Sequence, residues 1–190
     1  MNLPPDTLDI VTNFIRTRVS DANSDGVVLG LSGGIDSAVT LSLAVKALGS
    51  DKVTGLIMPF ALTESVDLAR SHAKDLNVDT KLIDISDIVT SYTKNSSLFS
   101  EQLSEGNLHS RIRMSLLYGA GFSSNYLVIG TSNKSELLIG YWTKWGDGGT
   151  DFLPIGDLYK TQVFELGKLL GVPSKIQVRK PTAELWPDQT

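Results

Sequence analysis

The sequence predicts an α/β fold: a parallel sheet covered by helices on both faces. Short runs rich in Val, Ile and Leu alternate with longer segments whose apolar residues recur at helical spacing. The apolar run Val27-Val28-Leu29 also passes through a Gly/Ser turn directly into an apolar helix, the signature of a strand–turn–helix unit. Strands covered on both faces read as continuous apolar stretches rather than alternating ones, and this run has that character.

Taken in order, Pro4-Pro5-Asp6 marks a helix start, after which Leu8, Val11, Ile15 and Val19 share a face. Asp25-Gly26 punctuates the chain before the first strand. The helix over 38–48 closes at Gly49. Residues 52–58 read as a second strand, ending at Pro59, and a helix over 65–76 carries Leu68, Ala69, His72, Ala73 and Leu76. A third strand is expected over 80–85, with Ser86 capping a short helix that holds Ile88, Val89 and Tyr92. Residues 95–104 are polar and aperiodic and read as a surface loop or lid. A helix over 108–118 and a fourth strand over 126–130 follow, then a short helix over 136–140. Gly146-Asp147-Gly148-Gly149 is loop, and a last helix over 160–170 ends at Gly171 with Pro173 beyond. Ligands in such sheets bind beyond the carboxyl ends of the strands, near the switch in strand order. That rim receives 32–37, 58–59 and Thr131.

Composition narrows the function classes. The chain has 190 residues, 41% of them hydrophobic, which suits one domain over 1–190 with a sizeable core. Seventeen Lys and Arg against 21 Asp and Glu give a net charge of −4, with no block of like charge, so nucleic acid and membrane surfaces are not expected partners. The absence of cysteine removes disulfides, thiolate metal ligands and thiolate intermediates. The start, Met1-Asn2-Leu3-Pro4-Pro5-Asp6, lacks the basic-then-apolar pattern of a signal peptide. No apolar run approaches the ~18–20 residues that span a bilayer. A cytoplasmic protein is expected.

The turn Gly30-Leu31-Ser32-Gly33-Gly34-Ile35-Asp36-Ser37 carries the chemistry. Backbone N–H groups converge at a helix N-terminus, the helix dipole favours negative charge, and the glycines let a phosphate approach the main chain. No Lys follows the glycines, so this is not the loop that cradles β- and γ-phosphates in P-loop enzymes. Asp36 stands at its mouth instead, where a carboxylate suits Mg²⁺. A purely structural turn is the alternative. The motif Ser-Gly-Gly-x-Asp-Ser resembles the pyrophosphate loop of N-type ATP pyrophosphatases, which split ATP between the α- and β-phosphates.

A second constellation runs from Ile129 to Asp151, followed by Pro154-Ile155-Gly156-Asp157-Leu158-Tyr159-Lys160. Read without a family, it is a strand end, a polar turn, an acid, then a loop rich in Gly, Lys and Asp. Glu136 is a candidate second Mg²⁺ ligand, and Lys144 and Lys160 are candidate phosphate-binding cations. Tyr141, Trp142 and Trp145 suit either a stacked ring or core packing. His72 reads as structural, and His109 as a minor site candidate two residues before Arg111.

These residues resemble the NAD synthetase family, whose members amidate nicotinic acid adenine dinucleotide (deamido-NAD). The resemblance extends from about Leu31 to Thr190 and includes Ser110-Arg111-Ile112-Arg113-Met114 and Pro181-Thr182-Ala183-Glu184-Leu185-Trp186. It implies an adenine nucleotide alpha-hydrolase-like fold and the stand-alone, ammonia-using type, with the chain expected to lack the family's C-terminal tail. It puts ATP on Gly30, Leu31, Ser32, Gly33, Gly34, Ile35, Asp36, Ser37, Thr131, Lys160 and Thr182. Mg²⁺ falls on Asp36 and Glu136, and deamido-NAD on Arg111, Lys144 and Asp151. The implied catalytic set is Asp36, Lys160 and Asp151, the last as a candidate to assist ammonium deprotonation. A homodimer is implied as well. Another amidase or adenylating enzyme with the same loop, and a truncated, inactive nucleotide-binding module, are the alternatives.

Overall fold

Strand side chains alternate between two apolar layers, and this alternation sets the architecture. The computed structural model describes residues 2–179. Its strands are β1 (Gly26–Gly30), β2 (Val53–Ile57), β3 (Asp79–Leu82) and β4 (Tyr126–Val128). They form one parallel sheet in the order β3-β2-β1-β4. The helices are α1 (Thr7–Asp21), α2 (Ile35–Leu48), α3 (Glu64–Asp75), α4 (Ser86–Asn95), α5 (Gln102–Ser124), α6 (Lys134–Ile139), α7 (Lys160–Leu169) and α8 (Ser174–Gln177). Val27, Leu29, Val53 and Ile57 face one layer, where they meet Ile15, Leu41, Ala69 and Leu166. Val28, Leu56 and Val128 face the other, against Val89, Leu108 and Ile112. Period-two alternation along each strand thus divides the core between two sets of helices.

The chain runs outward from β1 through β2 to β3, then returns to place β4 on the other side of β1. The order therefore switches between β1 and β4, and the loops leaving these two strands face each other there. Pairing continues past β4 as an isolated parallel bridge between Ile129 and Phe152. α2 is buried almost all round, from Ile35 to Ala44, because α1, α3 and α7 pack on it in addition to the sheet. An apolar helix without a polar face is the sequence form of such a position.

Several elements differ from the sequence expectation. β3 is shorter than 80–85 and all its residues are exposed, because it is an edge strand. The expected loop at 95–104 holds a 3-10 turn, Ser97–Phe99, and the first turn of α5. α5 extends well beyond 108–118 on both sides. Gly106, Gly119 and Gly121 read as helix weakeners, yet packing overrides propensity. A Cβ on Gly121 would stand 2.7 Å from the Tyr126 carbonyl, so this glycine lets α5 lie against β4. α6 begins earlier than 136, at Lys134, because Asn133 caps it. α8 was not anticipated.

His72 links α3 to α2. Its Nε2 lies 3.1 Å from Ser42 Oγ and 3.2 Å from the Ala38 carbonyl, and the residue is buried. Burial pushes its pKa below the ordinary 6.5, and the Ala38 carbonyl and Asp75 only partly oppose this. A lowered folded-state pKa means that the unfolded chain binds the extra proton first as pH falls. The contribution is complete above 6.5 and is lost as pH drops toward the folded value. Denaturant midpoints are therefore expected to fall between pH 7 and pH 5, and His72→Gln should flatten that slope while leaving part of it to His109. A wild-type midpoint that does not change with pH would refute this.

Candidate active site

The turn between β1 and α2 is held open by its own hydroxyls. Ser32 Oγ accepts from the Gly34 N–H at 3.2 Å, and Ser37 Oγ donates to the Gly34 carbonyl at 3.0 Å. Gly33 has φ +75°, a left-handed conformation that side chains disfavour, and a Cβ there would collide with the Ser65 carbonyl at the start of α3. The turn thus presents the first N–H groups of α2 at the switch point, with the positive end of the helix dipole behind them.

Asp36, in the first turn of α2, lies at the centre of a charged cluster. Lys160, the first residue of α7, pairs with Asp36 Oδ2 and lies 3.5 Å from Glu136 Oε1. Asn133, fully buried, donates from Nδ2 to Asp36 Oδ1 at 2.9 Å. Asn133 and Glu136 form a reciprocal capping box on α6, with Glu136 N–H donating to Asn133 Oδ1 at 3.1 Å and Asn133 N–H to Glu136 Oε2 at 3.2 Å. Burial, and then the Asp36 charge, push the Glu136 carboxyl upward, while Lys160 pulls it back. Carboxylates placed near each other with a cation between them form an arrangement that a divalent ion can also balance.

The fit to Mg²⁺ follows from the donor set. Among the described residues no group of three or more His, Cys, Asp or Glu is positioned to hold a metal. Mg²⁺ binds through one or two carboxylates together with substrate phosphates and water, and Asp36 and Glu136 beside an anion-binding turn supply that set.

The cluster opens into a cavity of about 690 Å³. Ser32, Asp36, Glu136, Thr131 and Lys160 form its polar end. Leu56, Met58 and Phe60 from β2 and its exit, with Met114 and Leu117 of α5, line an apolar wall. Tyr141, Trp142 and Thr150 line a further side. The loop carrying these last residues is folded on itself. Thr143 N–H donates to Asp147 Oδ1 at 2.8 Å, its hydroxyl donates to Asn107 of α5 at 2.7 Å, and Trp145 adopts φ 60°. A bulky residue in the left-handed region is a strained position held by its surroundings.

Arg111, Lys144 and Asp151 lie outside the lining of this cavity. Arg111 and Lys144 are exposed neighbours, with Arg111 Nε donating to the Lys144 carbonyl at 3.3 Å and Lys144 Nζ over the Trp145 ring at 5.6 Å. Asp151 has both carboxylate oxygens engaged. One accepts from the Val128 N–H at 2.7 Å, the other from the Tyr118 hydroxyl at 3.0 Å. Partial burial and the bond to Asp151 push the Tyr118 phenol up to about 12. A carboxylate so bonded is better suited to anchoring the loop than to accepting a proton. Thr182 lies outside the described residues.

Sequence reasoning assigned no role to Asn133, Asn107 or Arg113. The spacing Asn133-x-x-Glu136 is a capping-box pattern and was the available signal for the first. Arg113 Nε donates to the Met58 carbonyl at 2.9 Å across 55 residues of sequence, and nothing local announces that.

Comparison with known proteins agrees with this geometry. A family model described as NAD synthase matches residues 7–190. The chain is 52% identical over 183 residues to an NH(3)-dependent NAD(+) synthetase of Archaeoglobus fulgidus, a match covering 95% of this chain and 74% of that protein. A structure of NMN synthetase from Francisella tularensis superposes with a TM-score of 0.92 at 38% identity, covering 97% of this chain and 78% of the other. An NH3-dependent NAD synthetase from Campylobacter jejuni, in complex with the nitrate ion, gives 0.87 at 42% identity over 90% and 75%. The turn after β1 and the Asp36–Lys160–Glu136 cluster thus stand in a frame shared with these proteins, and the chain belongs to the NAD synthase family.

Proposed function

We propose that this chain amidates the nicotinate carboxylate of deamido-NAD with ammonia, cleaving ATP to AMP and pyrophosphate. The observation that carries the reading is the meeting of an anion-binding turn with Asp36, Glu136 and Lys160 at the mouth of one cavity. The names of the relatives support the choice of reaction.

A carboxylate is a poor electrophile and must first be activated. One oxygen of the nicotinate carboxylate attacks the α-phosphorus of ATP, and the bond to the β-phosphate breaks with its electron pair leaving on pyrophosphate. The acyl-adenylate that results is attacked at its acyl carbon by the lone pair of ammonia. The bond from that carbon to the AMP oxygen then breaks, and the nitrogen loses a proton. Negative charge grows on the departing pyrophosphate, and Lys160 and the N–H groups of the turn would offset it. Asp36 and Glu136 would hold Mg²⁺, which supplies further charge neutralisation to the phosphates when bound. Alignment in the cavity provides much of the remaining acceleration.

Arg111 and Lys144 sit together on the outer side of the loop and are read as the phosphate contacts of the second substrate. Asp151 is read as the anchor of that loop. Arg111, Ser115, Tyr118 and Phe122 recur along one exposed stripe of α5, with Phe122 93% exposed. We assign this stripe to a homodimer contact, which would bring the partner copy close to Arg111. The proposed place of action is the cytoplasm, where ATP and Mg²⁺ are supplied. Among the described residues no helix is long and apolar enough to cross a membrane.

The deciding experiment incubates the protein with ATP, Mg²⁺, ammonium and deamido-NAD and measures AMP and NAD together. Equimolar formation of both is expected. Because one relative is named an NMN synthetase, nicotinic acid mononucleotide is the competing substrate to run alongside. Turnover of the mononucleotide alone would reassign the substrate.

Asp36→Asn is expected to leave the fold intact by circular dichroism and to lower kcat by on the order of 100-fold or more. Near-wild-type turnover at saturating Mg²⁺ would remove Asp36 from the metal site. Arg111→Ala and Lys144→Ala should each raise KM for the dinucleotide by about 10- to 100-fold, with a smaller change for ATP. The reverse pattern in separate titrations would exchange the two substrate assignments. Light scattering should return about twice the 20.5 kDa chain mass, and Phe122→Glu should shift it toward one copy. A wild-type mass of one copy at micromolar concentration would exclude the dimer.

A further inference from the structure

His109 is 2% exposed, and neither ring nitrogen has a hydrogen-bond partner among the described residues. This contrasts with His72, whose nitrogen is bonded. Glu105, one turn earlier on α5, lies 3.9 Å from His109 Nε2, beyond hydrogen-bond reach. Arg113, one turn later, opposes protonation. Burial first, and then that charge, push the imidazole down to about 4, so the ring is neutral at physiological pH. The ring stacks on Phe60, with centroids 4.4 Å apart and planes 27° from parallel.

Phe60 belongs to the segment leaving β2, which α5 grips twice. Arg113 donates to the Met58 carbonyl, and His109 stacks on Phe60 two residues later. Phe60 is also 39% exposed and lines the cavity, so part of the residue remains open to a ligand there. β2 lies next to β1 in the sheet. A nucleotide with its phosphates on the turn after β1 can lay its base along Leu56, Met58 and Phe60, while the loop around Lys144 lies on the β4 side.

We propose that His109 is a positioning residue, which by stacking on Phe60 fixes that ring as a flat wall for the adenine of ATP. The assignment rests on the reading above that ATP occupies this cavity. Stacking between aromatic rings is worth enough to matter for affinity, and a wall already in place avoids the cost of ordering it on binding.

Two variants and one spectroscopic measurement test it. His109→Leu keeps an apolar side chain without a flat face, and His109→Phe keeps the flat face without the nitrogens. The leucine variant should raise KM for ATP about three- to tenfold. Its kcat at saturating ATP should stay within about twofold, with KM for the deamido-dinucleotide unchanged. The phenylalanine variant should restore KM for ATP. A leucine variant equal to wild type, or a phenylalanine variant as impaired as leucine, would overturn the proposal, and so would an equal rise in both KM values. The chain has only 2 histidines, so the ring protons of His109 are readily assigned by NMR in the free protein. Phe60→Leu should move them downfield by removing the ring-current shielding and leave those of His72 in place. Unmoved His109 resonances would refute the stack, whatever the function. A stack confirmed by this shift in a protein that binds no MgATP by calorimetry would instead overturn the ATP reading, and the adenine assignment with it.

Discussion

One cation set among carboxylates holds the site together. Lys160 brings α7 to Asp36 of α2 and to Glu136 of α6, and Asn133 fastens Asp36 from the other side. α6 depends most on this arrangement. It has six residues, none of them buried, so neither helix length nor an apolar face fixes its place. Its capping box, the bond from Lys134 N–H to the Leu158 carbonyl and the charged cluster do so instead. Without Lys160, Asp36 and Glu136 would face each other as like charges in a partly desolvated place, where repulsion is poorly screened. Asp36, Glu136 and Lys160, which organise these loops, thus also line the polar end of the cavity.

The two halves of the site are built by different physics. One half stands on α2, whose buried faces tie Asp36 to the core, so its position is set by packing that tolerates little movement. The other half is a loop, shaped by hydrogen bonds from Thr143 to Asp147 and Asn107 and tied to β4 through Asp151. Gly146 presses that loop onto α5 so closely that a Cβ would stand 2.7 Å from Ser110 Cβ. A platform fixed by packing thus faces a loop fixed by hydrogen bonds.

The parts legible in sequence were those whose signals are local. The Gly/Ser turn, the buried helix after it and the acid at Glu136 can each be read within a few residues, and the structure puts Asp36, Glu136 and Lys160 together. What escaped was carried by contacts distant in sequence. The true length of α5 was hidden by glycines that weaken a helix in isolation, because the reason for Gly121 lies in the backbone of β4. Asp151 reads as a candidate substrate contact and proton acceptor, whereas its oxygens accept from the Val128 N–H and the Tyr118 hydroxyl. Arg113 has nothing beside it in sequence that announces its bond, because its partner, the Met58 carbonyl, follows β2. The short, exposed β3 was overextended because apolar Ile83 and Ile85 continue the strand pattern after the ladder has ended.

The exposed edge at β3 has a consequence for the molecule in a crowded solution. A flat, apolar outer strand would offer its unpaired N–H and C=O groups to any extended chain that drifted past. Here the strand is four residues long and carries Asp79 and Lys81 on one face, both exposed. A stranger pairing with it would have to desolvate opposite charges for a short ladder, a poor exchange. On the opposite flank, Phe152 of this same chain has already begun to pair beside β4. The sheet therefore discourages aggregation on one side and is continued by its own sequence on the other.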